Sequence, residues 1–435
     1  MKTLLCNADI LTVQDGNFVT IPGGFLGVDG ATICYLGRQR PKERYDCERE
    51  LRGKLLIPGL YNCHCHAAMV ALRGVGSDLP LQNWLFDKIF PMEDRLTPKQ
   101  IRVASELAVL EMLASGTVSF TDMYMSPDET AEVVLASGIK ANLCRPVQCF
   151  DAQEPYEKNF RAQESIALFD RYHMAGDGRL RIDFSIHAEY TCTDRVVRAY
   201  SEDCNVRGGR MHLHLSETKL EQEQCMARHG GKTPTAYFYE MGTLNAPTTA
   251  AHCVWVTPED REILKACGVS PVHNPTSNLK LGSGFAPVPE MLEMGLNVTL
   301  GTDGAASNNN LNLLEELHLA AVVHNGYRLD PTIMKPEQVL KMATENGARA
   351  QGRERCGTLA VGNRADLVAI DLTRPHMRPS FETLPALTYQ AQASDVCMTM
   401  VDGRILYENG VYLTMDPERI YYEYDKALRA LYENG

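Results

Sequence analysis

The feature that most constrains this chain is a series of short apolar runs, several of which close on a polar residue. LIPGLYNCHCH carries His64 and His66, and RIDFSIH ends on His187. MHLHLSE holds His214 and Glu217, TTAAH ends on His252, and LNVTLGTD ends on Asp303. Each run has the length and composition of a buried β-strand. Each polar group sits at the C-terminal end of its run. A parallel barrel assembles its active site at that end, from several strands at once.

Between about residue 57 and about residue 350, such runs alternate with helical stretches, the rhythm of a (β/α)8 barrel. LLIPGLYN, TVSFTDM, IKANLCR, LRIDFSIH, RMHLHLS, TTAAH, GVSPVH and LNVTLGTD supply eight strand-like segments. One helix is well marked. Thr97 suits an N-cap, Pro98 the first helical position and Gly116 a C-cap, with apolar residues at helical spacing between them. At both chain ends the rhythm becomes short strands and glycine turns, as in GGFLGVDGATICYLG and CGTLAVGNRADLVAIDL. The expected organisation is therefore α/β. A TIM barrel spans 57–354, a small β-sandwich domain forms from 1–56 together with 355–415, and an amphipathic helix occupies 416–435. The 435-residue length suits a barrel with a smaller second domain.

Bulk properties exclude several classes. A net charge of −12 disfavours a nucleic-acid backbone as partner, but leaves a free nucleoside or base open. No apolar run reaches the length of a membrane span. Asn7 and Asp9 interrupt the N-terminal apolar stretch, so it reads as a strand and not as a signal peptide. The fourteen cysteines are scattered without a C-x-x-C pair, which points to reduced thiols in a cytoplasm. A homo-oligomer is compatible with the sequence.

In NCHCH, the period of two puts His64 and His66 on one strand face and Cys63 and Cys65 on the other. Two imidazoles so placed can hold one divalent ion. His212 and His214 share a face in MHLHLSE. His214 lies nearer the strand end and is the better ligand, whereas His212 lies a layer deeper, as a neutral core residue. Taken singly, Glu217 reads as a helix-start acid and Asp303 as a turn residue. Taken together, they describe a metal site with a neighbouring proton shuttle.

The segments PGLYNCHCHAAMVALRG, DLPLQNWLFDKIFPMEDRLT, HAEYTC, HLHLSET, HNPTSNLKLGSG and TLGTDGAASNNNLN resemble the amidohydrolase superfamily. Within it, they are similar to the 5-methylthioadenosine/S-adenosylhomocysteine deaminases. The resemblance implies Zn²⁺ held by His64, His66, His214 and Asp303, donors that Fe²⁺ or Mn²⁺ would also accept. It implies hydrolytic deamination of 5′-modified adenosines, with 5-methylthioadenosine, 5′-deoxyadenosine, adenosine and S-adenosylhomocysteine as candidates. Water would attack C6 of the adenine, Glu217 would protonate N1, and His252 and Asp303 would hold and deprotonate the water. Glu93 matches a ribose-binding acid, Trp84 an apolar wall and His187 a substrate-contacting residue. Arg145 matches one of two arginines near a substrate carboxylate. The second has no counterpart at the matching place, and Arg161 falls several residues late. Binuclear relatives carry a lysine at the end of the fourth strand. This chain has His187 there, which implies one metal ion. The alternative reading is a deaminase or chlorohydrolase acting on a guanine, pterin or triazine. A non-catalytic barrel would be expected to lack the ligands or the shuttle.

Overall fold

The computed structural model describes residues 2–433. Its centre is a TIM-barrel-type α/β fold. The barrel strands, in order, are Leu60–Cys65, Thr117–Met123, Lys140–Cys144 continued by Pro146–Val147, and Leu180–Ile182 continued by Phe184–Ile186. Met211–Leu215, Thr248–His252, Ser270–His273 and Thr299–Leu300 follow. Neighbours pair in parallel. Every residue of Thr117–Met123 and of Met211–Leu215 is buried, as expected of strands covered on both faces. The ladder runs in two stretches that meet where the third and fourth strands each break, at Arg145 and Asp183. There Asn142 Nδ2 donates to both Asp183 oxygens, at 3.1 and 2.9 Å. The Asp303 N–H donates to the His64 carbonyl at 2.9 Å, tying the end of the last strand to the first.

The well-marked helix spans Pro98–Ala114 with Thr97 and Gln100 in a reciprocal capping box. It stops short of the expected Gly116. Ser115 Oγ folds back onto the Glu111 carbonyl at 2.9 Å and ends the helix first. Gly116, at φ +88°, then turns the chain into the next strand.

The two chain ends meet in one nine-stranded sheet beside the barrel. Its joint is the antiparallel pair Lys54–Pro58 and Leu367–Asp371. LLIPGLYN, expected as one strand, is therefore two. Lys54–Pro58 belongs to this sheet and Leu60–Cys65 to the barrel. Gly59 is the pivot, and a side chain there would meet Val118 at 2.4 Å. Leu5, Ile10, Leu26, Leu56, Leu367 and Met398 belong to an apolar cluster of this sheet, separate from the barrel core. Hydrogen bonds link all nine strands, so the end strands pair as one sheet.

Helix Pro417–Glu433 returns to the barrel. Tyr424 Oη donates to the Val70 carbonyl at 2.9 Å and Gln100 Nε2 to the Ala427 carbonyl at 2.8 Å. Among the described residues, no helix is long and apolar enough to cross a membrane.

Candidate active site

The polar strand-end residues converge at the C-terminal mouth of the barrel. His64 Nε2 lies 3.3 Å from Asp303 Oδ1, and His66 Nε2 lies 3.2 Å from the same oxygen. One nitrogen from each of His64, His66 and His214 falls within 4.8 Å of the others, as do ligand atoms of His64, His252 and Asp303. Strand ends here take costly conformations. Ser216, His252, Cys253 and Asp303 all have φ between +49° and +74°. Left-handed backbone at residues other than glycine is uncommon and gathers at functional sites.

The outer nitrogens of the imidazoles are committed. His66 Nδ1 bonds the Met123 carbonyl at 2.6 Å, His214 Nδ1 the His187 carbonyl at 2.8 Å, and His252 Nδ1 Asn278 Oδ1 at 2.8 Å. These acceptors require N–H at each Nδ1. In the neutral imidazole each Nε2 then presents a lone pair to the centre, the tautomer a metal ligand needs. His64 reaches the same state by a relay. Its Nδ1 contacts His212 Nε2 at 2.8 Å, and His212 Nδ1 contacts Thr249 Oγ1 at 2.6 Å. His212 thus sits beneath the site, as its place in the strand suggests. Asp303 Oδ2 accepts from Ser277 Oγ at 2.6 Å and Ser307 Oγ at 2.8 Å, which turns Oδ1 toward the histidines.

The donor set suits a divalent cation. His64 Nε2 is buried and has no hydrogen-bond partner. Burial drives His64 down to about 4. Burial also opposes charge on His66, but contact with Asp303 outweighs it and lifts His66 to about 9. Burial opposes ionisation of Asp303 too, yet the two imidazoles hold its carboxyl well below the ordinary range. The protein alone thus draws positive charge to the centre of the cluster. A second cluster, Glu189, Cys225 and His229, differs. Arg228 Nε already lies 3.0 Å from Glu189 Oε1, so that carboxylate has its cation.

Beside the cluster, a cavity of about 460 Å³ is lined by Trp84, Glu93, Arg145, His187, Glu217 and His252, among others. Glu217 Oε2 is 3.8 Å from His252 Nε2, and Ser283 Oγ is 3.5 Å from Glu217 Oε1. Burial raises the Glu217 carboxyl above its ordinary value and pushes Glu93 up to about 7. His187 Nδ1 is buried without a partner, and burial lowers this imidazole to about 3. Trp84 is anchored by its indole N–H to the Val75 carbonyl at 3.1 Å.

Arg161, which falls several residues late of the matching place in sequence, reaches the site in the fold. It lines the same cavity as Arg145. Both guanidiniums flank Phe160, at 4.5 Å for Arg161 and 6.0 Å for Arg145. The intervening loop and the start of helix Phe160–Tyr172 bring it there, which linear spacing does not reveal. Tyr124, which lines the cavity, and Ser277, Asn278 and Ser307 also lie outside the strand-end pattern. The polar density of HNPTSN and TDGAASNN was the available signal for the last three.

The amidohydrolase family profile matches residues 55–406. A 5-methylthioadenosine/S-adenosylhomocysteine deaminase from Caldanaerobacter subterraneus is 39% identical over 432 residues, 99% of each chain. A 5′-deoxyadenosine deaminase from Methanosarcina acetivorans is 39% identical over 428 residues, 98% of each chain. An adenosine deaminase from Xanthomonas campestris, solved with bound zinc, superposes with a TM-score of 0.93 at 28% identity. That match covers 99% of this chain and 98% of the other. A zinc-complexed atrazine chlorohydrolase from Arthrobacter aurescens shares the fold, with a TM-score of 0.90 at 24% identity over 98% of this chain and all of the other. With strand-end histidines and an aspartate gathered at the mouth of its barrel, and with sequence likeness running almost end to end, this chain belongs to the amidohydrolase family.

Proposed function

We propose that this protein hydrolytically deaminates the adenine ring of 5′-modified adenosines, giving the inosine analogue and ammonia. The observation that carries the reading is the single cavity that joins the histidine–aspartate cluster, Glu217 and Glu93. The relatives' names set the substrate class. His64, His66, His214 and Asp303 would hold one divalent cation, with Zn²⁺ favoured over Fe²⁺ or Mn²⁺ by the zinc-bound neighbours. When bound, it supplies Lewis acidity that makes water a nucleophile near neutral pH.

The chain's own residues handle the protons. Glu217, held toward its protonated form by burial, gives a proton to N1 of the purine and so makes C6 electrophilic. His252 Nε2 orients the water, and Asp303 Oδ1 takes its proton as the C6–O bond forms. That proton passes to the departing amine, Glu217 takes back a proton from the new C6 hydroxyl, the C6–N bond breaks, and ammonia leaves with the C6 carbonyl formed. Glu93 accepts the ribose hydroxyls, with His187 and Trp84 completing the wall. Arg145 is already engaged by Glu164 at 2.6 Å. Arg161 has no carboxylate partner among the described ion pairs, although Glu154 and Asp94 lie near enough to act on its charge, so its guanidinium is free to meet a substrate carboxylate. S-adenosylhomocysteine, with its carboxylate, therefore belongs among the substrates.

On architecture, the Asp303–His64 backbone bond supports a closed barrel, and the separate apolar cluster supports a sandwich-like second domain built from 1–56 and 355–415. Free thiols at all fourteen cysteines suit the cytoplasm.

Ammonia release from the zinc-loaded protein tests the reading. The panel is 5-methylthioadenosine, 5′-deoxyadenosine, adenosine, S-adenosylhomocysteine, adenine and guanine. Turnover of the nucleosides, abolished by a chelator and restored by Zn²⁺, is expected. Turnover of free bases alone would refute it.

A further inference from the structure

Glu217 hangs from a tight turn between strand Met211–Leu215 and helix Lys219–Arg228. Ser216, just before it, has φ +49°. A serine does not hold that conformation by local preference, so its surroundings must impose it. They do so through Glu221, one turn into the helix and 3% exposed. Glu221 Oε1 accepts the Ser216 N–H at 3.0 Å, and Oε2 accepts the Glu217 N–H at 2.7 Å. Its own N–H donates to Thr218 Oγ1, the helix cap, at 3.1 Å.

A simple capping box would return this side chain to the N–H of the cap residue itself. Here each carboxylate oxygen reaches past the cap, to the residue that carries the proposed proton donor and to the strained residue before it. Burial and the neighbouring Glu217 carboxylate push Glu221 up to about 7, and Arg228, which feels its charge, is itself paired with Glu189. A buried carboxylate without a cation of its own is costly to keep. Two charge-assisted bonds to the turn offset that cost. Helix capping alone would need neither the charge nor the second oxygen.

We propose that Glu221 is a positioning residue, whose carboxylate clamps the Ser216 and Glu217 amides and so fixes where the Glu217 carboxyl points in the cavity. The proposal rests on the role given to Glu217 above. Zinc-loaded Glu221→Ala should lose about 100-fold in kcat and Glu221→Gln, which keeps one acceptor oxygen, about 10-fold, with KM and bound zinc unchanged. Thr218→Ala removes the helix cap but spares the clamp, so it should lower the melting temperature and leave kcat within about twofold. Equal kcat losses in Thr218→Ala and Glu221→Ala would reduce Glu221 to a helix cap and overturn the proposal. Hydrogen exchange provides a readout independent of substrate. The Ser216 and Glu217 amides should lose protection in Glu221→Gln while barrel-strand amides keep theirs. Unchanged protection at those two amides would overturn the clamp even if the enzyme deaminates adenosines. Lost protection in a protein that deaminates none of them would uphold the clamp and refute the proposed reaction.

Discussion

At the N-terminal end of the barrel, Lys140 Nζ lies 2.5 Å from Asp366 Oδ2 and 2.6 Å from Asp402 Oδ1. Arg364 Nε meets the same Asp402 oxygen at 2.6 Å, and the Tyr61 hydroxyl donates to Asp366 at 3.0 Å. Nearby, Arg353 donates to the carbonyls of Ala141, Gly178 and Arg179 at 2.9 to 3.0 Å. At the opposite end, His64 Nε2 and His187 Nδ1 are buried with no partner, and Glu93 is held near neutrality by burial. Both ends bury ionisable groups, but Lys140, Asp366 and Asp402 pair with one another, whereas His64 Nε2 and His187 Nδ1 have no hydrogen-bond partner. A satisfied network joins the barrel to the flanking sheet and serves stability. An unsatisfied one is costly in the empty protein and gains its partners from what it binds.

The contrast breaks most sharply at Glu217. Glu217→Gln keeps the shape of the cavity and removes the transferable proton. Turnover should fall by about 10²- to 10⁴-fold with bound zinc and melting temperature retained. Unchanged turnover would remove Glu217 from the reaction. The opposite end should behave in reverse. Lys140→Ala strands Asp366, which is fully buried, without its cation. A loss of about 3–5 kcal/mol in unfolding free energy is expected, with kcat preserved in the protein that remains folded. A loss of kcat without a loss of stability would show that the two ends are coupled and not separate.

What the sequence disclosed divides along a similar line. His64, His66, His187, His214, His252 and Asp303 could be found because each closes a strand, and the geometry of a parallel barrel does the rest. His212 could be placed one layer down by period alone. Arg161 could not, because a loop and a helix start carry it to the cavity and linear spacing misplaces it. Nothing in the sequence marks Glu221, whose two oxygens reach back past Thr218 only in the folded turn. The split of LLIPGLYN at Gly59 was hidden too, since both halves are equally apolar and only the crowding against Val118 marks the pivot. Strand ends are encoded locally. Side chains that arrive from helices and loops depend on tertiary packing.

The unsatisfied end should also show in the response to pH. Burial lifts Glu93 from an ordinary value of 4.5 to about 7, so the folded protein holds this proton more tightly than the unfolded chain. The resulting stability is complete below the ordinary carboxyl range and is lost as the pH rises through about 7. In denaturant titrations of metal-free protein, the Glu93 contribution to the unfolding free energy should fall between about pH 5 and about pH 8. Glu93→Gln should flatten that slope by an amount on the order of 2 kcal/mol. An identical slope in the variant would place Glu93 in contact with solvent and weaken its assignment as a buried ribose acceptor.

The smallest effect belongs to Arg161, and it sharpens the comparison within the cavity itself. Arg145 has Glu164 as an internal partner and so resembles the satisfied end of the barrel. Arg161, stacked on Phe160, is partly buried, and burial followed by repulsion from Arg145 lowers its guanidinium from the ordinary value. A guanidinium in that state favours an incoming carboxylate, which supplies both charge and hydrogen bonds. Arg161→Ala should therefore reduce kcat/KM for S-adenosylhomocysteine by about 10-fold, equivalent to about 1.4 kcal/mol. For 5′-deoxyadenosine, which has no carboxylate, the change should stay within about twofold. Equal losses on both substrates would mean that Arg161 shapes the wall through packing on Phe160. Loss confined to S-adenosylhomocysteine would mean that this chain recognises the carboxylate with a residue that linear spacing placed out of reach.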